Sequence, residues 1–81
     1  MLGEQKIYSE LTEIFRDILG DSALELTPES NPETVPDWDS INHINIVSAA
    51  EMAFSVKFRS SEIDAMETVG DMVQIIQSRT R

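Results

Sequence analysis

The sequence predicts an all-α fold: a small four-helix bundle with a long loop between helices one and two and a short third helix. Three observations lead there. Apolar residues recur at three- and four-residue spacing in three separate stretches, the period of a helix with one buried face. No alternating apolar–polar run flanks a hairpin dipeptide, so strand signals are absent. All three prolines, Pro28, Pro32 and Pro36, fall between the first and second periodic stretches.

In the first stretch Ile7, Leu11, Ile14, Phe15 and Ile18 fall at i, i+4, i+7, i+8 and i+11, with Glu4, Glu10, Glu13 and Asp17 largely opposite. Gly20 suits the left-handed residue that closes a helix, so the spacing predicts a helix over 4–19. From Asp21 to Trp38 the period is lost. Leu24, Leu26, Val35 and Trp38 are available to pin this loop to the core, and the prolines lower the entropy lost in fixing it. Thr27-Pro28-Glu29 reads as the N-cap and first turn of a short helical piece.

The second helix is predicted from Ser40 to about Phe54, with His43, Ile46, Val47, Ala50 and Phe54 on one stripe. Ile41, Ile44 and Met52 fall outside it, so this helix has more apolar surface than one core face requires. Ser55 to Arg59 is a short basic connection, with Val56 and Phe58 placed to pack inward. Ser60 or Ser61 is expected to cap a short third helix carrying Ile63 and Met66. Thr68 is expected to cap the fourth, with Asp71 three residues on in a weaker capping box. Val69, Met72, Val73 and Ile76 form its core face, and Arg79 and Arg81 complement its negative end.

Eighty-one residues make a single domain, 1–81, with no room for both a core and an enclosed, lidded active site. No apolar run approaches the roughly 20 residues of a membrane span, and the first residues lack the basic and apolar regions of a signal peptide. A cytoplasmic monomer is expected. With no cysteine, disulfides and thiolate metal sites are excluded, and any thiol chemistry must come from a prosthetic group. The net charge of −9 argues against nucleic acid and anionic membrane surfaces. It is unevenly placed: residues 1–39 hold ten acids and two bases (−8), residues 40–81 five acids and four bases (−1). Such a surface keeps a protein soluble and also steers it toward basic partners.

The chemistry points to Pro36-Asp37-Trp38-Asp39-Ser40-Ile41. Asp39 is a strong N-cap, whose carboxylate can accept from the free N–H groups of the first turn. Ser40 is then the first helical residue, its hydroxyl outside the bundle and beside the positive end of the helix dipole, where a phosphate-linked group is tolerated at little cost.

Asp39-Ser40-Ile41, the apolar-rich helix after it, and Phe54 fourteen positions beyond the serine resemble the attachment site of the acyl carrier protein family. Helix order and lengths match over Ile7 to Gln77, and a long loop after helix one belongs to that pattern. The resemblance implies 4′-phosphopantetheine, donated by coenzyme A and esterified to Ser40, with acyl groups carried on its terminal thiol as thioesters. It implies no enzyme activity of the chain's own. Its partners would be a phosphopantetheinyl transferase that recognises Asp39 and Ser40, an acyl-loading ligase or acyltransferase, and downstream acyl-processing enzymes. Ile46, Val47, Ala50, Phe54, Ile63 and Met66 are core positions first. By resemblance they also line a cavity that shelters an acyl chain, and unbranched Met66 suits variable contents.

Other readings weigh less. Asp39, Ser40 and His43 superficially suggest a catalytic triad, but they occupy one helical turn and no oxyanion site is offered elsewhere. His43 is expected at the bundle rim near Ser40, and Trp38 as a buried anchor whose indole N–H finds a partner. Asp37 and Asp39 do not open a calcium loop, because the sixth position is Asn42 and the twelfth Ser48; no metal site is expected. The chain departs from the family on its second helix, where acids that dock on basic enzymes are usual. Here Asn42, Asn45, Ser48, Met52 and Ala53 take much of that surface, and Glu51 is the only acid after Asp39. This favours a specialised carrier in a fatty acid, polyketide or related pathway, and an apolar docking strip of Ile41, Ile44 and Met52. A peptidyl or aminoacyl carrier with the same arm, and an unmodified helical adaptor, stay open as alternatives.

Overall fold

A computed structural model describes residues 3–80, with α1 at Glu4–Leu19, α2 at Ser40–Phe54, α3 at Ser60–Ala65 and α4 at Val69–Arg79. Among the described residues all regular structure is helical, in the order the spacing predicts and, for α1 and α2, at the predicted bounds. Arg81 lies outside the described residues.

The predicted stripes become the core. Ile7, Leu11 and Phe15 of α1 cluster with Ile46, Val47, Ala50 and Phe54 of α2 and with Val69, Met72, Val73 and Ile76 of α4, all buried. α1 packs on both α2 and α4. Gly20 ends α1 at φ 67°, a backbone that a side chain would strain, and its N–H donates to Arg16 O.

The long loop is held by the residues expected to hold it. Val35 and Trp38 are buried, Leu24 and Leu26 partly so, and Trp38 meets Phe15 edge to face at 5.0 Å between ring centres. The helical piece expected at Thr27-Pro28-Glu29 is a single turn instead, closed by Ser30 N–H donating to Thr27 O at 3.0 Å. A further turn would need residue 32 to donate to Pro28 O, and Pro32 has no N–H to give. The spare carbonyls are used elsewhere: Pro28 O accepts from Gly70 N–H at 3.0 Å, and Ser30 O from Val69 N–H at 2.9 Å. The loop thus satisfies two of the free first-turn donors of α4.

The cap of α4 is as expected. Thr68 Oγ1 accepts from Asp71 N–H at 3.2 Å and the Asp71 carboxylate accepts from Thr68 N–H at 3.2 Å. The cap of α3 differs: Arg59, not Ser60 or Ser61, stands at the boundary, because the Glu62 carboxylate reaches back to Arg59 N–H at 2.8 Å and starts the helix one residue earlier. Arg79 secures this short element. Its guanidinium donates to Glu62 Oε1 at 2.7 Å and to Lys57 O at 2.7 Å, so the end of α4 holds both α3 and the connection before it. The Arg79 hydrogen bond, followed by that from Arg59 N–H, holds the Glu62 carboxyl below the usual carboxylate range. No described helix is long and apolar enough to cross a membrane.

Gly70 marks where loop and helix close most tightly. A Cβ there would lie 3.0 Å from Pro28 O, the atom that accepts from Gly70 N–H. Helix propensity alone favours alanine over glycine by about 1 kcal/mol. The crowding opposes it, since moving Pro28 away stretches the bond it makes. Gly70→Ala is therefore expected to destabilise by about 1 kcal/mol, lowering Tm by roughly 4–8 °C for a domain of this size. A thermal melt followed by circular dichroism reads this, and a raised Tm would refute it.

Candidate functional site

The site is built where the loop enters α2. One residue, Asp39, separates a side chain that must go in from one that must come out: Trp38 is buried and Ser40 is exposed. Just ahead of them Asp37 takes φ 68°, one of only two non-glycine residues with positive φ among those described, and this sets the direction from which the loop enters α2. Asp39 then caps α2 as expected, Oδ1 accepting from Asn42 N–H at 2.9 Å, while Asp39 O accepts from His43 N–H at 2.8 Å. Ser40 is the first residue of α2. Its hydroxyl takes no part in the local hydrogen bonds, which run through Asp37, Asp39 and Asn42 on either side.

His43 is held by two bonds. Trp38 Nε1 lies 3.1 Å from its Nδ1, and its Nε2 lies 3.3 Å from Ile63 O. An indole N–H can only donate, so Nδ1 accepts, and Nε2–H donates to the carbonyl. The ring therefore bridges loop, α2 and α3. Neither it nor the Asp39 carboxylate is directed at Ser40, and the triad-like trio has no nucleophile-activating geometry.

Beside Ser40 opens a cleft of about 470 Å³ between the loop, α2 and α3, walled by Trp38, His43, Ile44, Ile63 and Met66. Of the residues the sequence nominates for a pocket, Ile63 and Met66 line this cleft. Ile46, Val47, Ala50 and Phe54 do not, and are spent on the bundle core. Ile41, Ile44 and Met52 are exposed by 74%, 61% and 84%. Glu51, the one acid of α2 beyond its cap, folds back, its Oε2 accepting from Phe58 N–H at 2.9 Å.

Sequence reasoning missed two features here. One is the Trp38–His43 bond. These residues stand at N′ and N4 about the Asp39 cap, the positions of a hydrophobic staple, so that spacing held the signal. The other is the role of Asn42, whose Nδ2 donates to Asp37 O at 2.8 Å. Nothing local signals it, because it depends on the positive φ of Asp37.

This arrangement fits a phosphate-linked group: a free hydroxyl at a helix start, an open cleft with both apolar and polar walls beside it, and no competing local role for the serine. Comparison with known proteins agrees. Residues 9–76 match the family described as phosphopantetheine attachment site. The acyl carrier protein of Acidothermus cellulolyticus is 32% identical over 79 residues, covering 98% of this chain and 94% of that one. The meromycolate extension acyl carrier protein of Mycolicibacterium aurum is 32% identical over 74 residues, covering 91% of this chain and 76% of its own. Among solved structures, the holo acyl carrier protein of Geobacter metallireducens superposes with a TM-score of 0.83 at 29% identity, covering 90% of this chain and 84% of that one. The chain belongs to the acyl carrier protein family, whose members are carriers rather than enzymes and bear a covalent 4′-phosphopantetheine.

Proposed function

We propose that Ser40 is the residue esterified with 4′-phosphopantetheine, and that the chain, as a single unit over 1–81, is a specialised carrier of acyl groups. The observation that carries this is the exposed, unengaged hydroxyl at the first position of α2, opening on the cleft. When attached, the arm supplies a terminal thiol that holds the acyl group as a thioester. The chain's own residues do the rest. Asp39 fixes the helix start that a transferase reads, α2 leaves Ser40 accessible, and Ile63 and Met66 offer apolar walls to whatever enters the cleft.

A specialised role is supported by α2. Its outward face presents Ile41, Ile44 and Met52, and Glu51, the one acid of α2 beyond its cap, is engaged by the Phe58 N–H. Partners, the acyl-loading ligase or acyltransferase and the enzymes that follow it, are expected to gain affinity by burying this strip. Loop acids such as Glu33 and Asp37 would chiefly set encounter rates.

The test is intact-mass spectrometry after incubation with coenzyme A and a broad-specificity phosphopantetheinyl transferase. Wild type should gain one arm and Ser40→Ala none. An unmodified wild type beside a fully converted control carrier would reject the carrier reading in favour of an adaptor. An arm gained by Ser40→Ala would move the attachment point.

A further inference from the structure

The turn ahead of Ser40 carries backbone strain at an exposed residue. Asp37 holds φ 68° with its side chain exposed, a conformation costly for any residue but glycine, though less so for aspartate than for most. Two donors converge on its carbonyl: Asp39 N–H at 3.0 Å and Asn42 Nδ2 at 2.8 Å. Asn42 also gives its backbone N–H to Asp39 Oδ1 at 2.9 Å. One residue of the first turn thus grips both acids that bracket Trp38, and the segment 37–39 closes onto α2 as a ring of hydrogen bonds. Asn42 itself is only half-buried and belongs to no part of the core. Its amide does something a capping carboxylate could not, because only a donor can reach the Asp37 carbonyl.

We propose that Asn42 is a positioning residue for the transfer of phosphopantetheine to Ser40: its side chain holds Asp37 in the left-handed conformation through which the loop enters the capped start of α2, where Ser40 stands exposed. The inference rests on Ser40 being the attachment residue. Without the Asn42 amide the backbone of 37–39 samples other conformations, and the hydroxyl meets the incoming phosphorus in its productive direction less often. The bond formed is from Ser40 Oγ to that phosphorus, the bond broken is to the nucleotide part of coenzyme A, and the hydroxyl proton leaves to a base of the transferase. Asn42 exchanges nothing in this step.

The experiment is a cycle of Asn42→Ala, Asp37→Gly and the double variant, each confirmed folded by circular dichroism. Loading is measured with coenzyme A and a broad-specificity phosphopantetheinyl transferase, resolving kcat from KM. Asn42→Ala should lower kcat/KM about 3- to 10-fold, the span expected for loss of one hydrogen bond. Asp37→Gly, which adopts positive φ without strain, should restore most of that loss in the double variant. A contact made by Asn42 to the transferase itself would not be rescued in this way. Unchanged loading of Asn42→Ala, or a loss that Asp37→Gly leaves in place, overturns the proposal while the attachment reading stands. A wild type that gains no arm, or an arm that persists in Ser40→Ala, overturns the attachment reading and this one with it.

Discussion

Trp38→Ala is expected to remove about 3–5 kcal/mol of folding free energy, the range for deleting a large buried aromatic. A chain of this length has only about 4–12 kcal/mol to lose, so the variant should forfeit about a quarter of its stability or more. Three contributions go together. The indole is 4% exposed, its edge-to-face contact with Phe15 is lost, and His43 Nδ1 is left without its donor. Trp38→Phe separates them. It keeps an aromatic ring against Phe15 but removes the indole N–H, and should cost about 1–2 kcal/mol. Because Trp38 is the chain's only tryptophan, urea unfolding is best followed by far-ultraviolet circular dichroism rather than fluorescence. A loss below 1 kcal/mol for Trp38→Ala would contradict its place as the anchor that joins loop to bundle.

The second large effect concerns partner binding. Ile41→Ala and Met52→Ala should each weaken affinity for an acyl-loading or acyl-processing partner about 10- to 100-fold, since fully burying such a side chain is worth about 1.5–3 kcal/mol. Exposed ion pairs give 1 kcal/mol or less, so charge alone would not produce changes of that size. The substitutions remove atoms already in solvent, 74% and 84% exposed, and folding should be unaffected. Surface plasmon resonance at two salt concentrations resolves the question. Raising salt should slow association more than it speeds dissociation. If both variants bind like wild type and binding vanishes with salt, docking is electrostatic and this face of α2 is not the contact.

Much of this could be read in advance where cause and effect lie within one or two helical turns. The stripe Ile7, Leu11, Phe15 is buried because its spacing leaves no other face for it, and Asp39 and Thr68 cap because an acceptor precedes a run of free donors. Ser40 was legible for the same reason: a cap before it and an apolar helix after it determine where its hydroxyl points. The loop was harder. Whether Thr27-Pro28-Glu29 continues as a helix depends on Pro32 and on donors in α4, which no local pattern joins. The start of α3 depends on Glu62 reaching back to Arg59, an alternative to serine capping that the sequence permits but does not select. The cleft shows the remaining limit. Spacing can tell which residues face inward, but the division of inward residues between a filled core and a cleft wall depends on the distance between α2 and α3.

The bonds from Pro28 O to Gly70 N–H and from Ser30 O to Val69 N–H also bear on the order in which the chain assembles. They close a circuit across roughly forty residues, the kind of non-local contact that comes late in folding because so much chain must be gathered first. The first turn of α4 is thus completed by a segment that precedes α2, and the bundle can collapse before that stitch is made. In hydrogen exchange, first-turn amides normally trade freely with water, but Val69 and Gly70 should be protected for as long as residues 28–30 stay seated. Their exchange would report the opening of the loop that leads to Ser40, separately from the unfolding of the helix in which they stand.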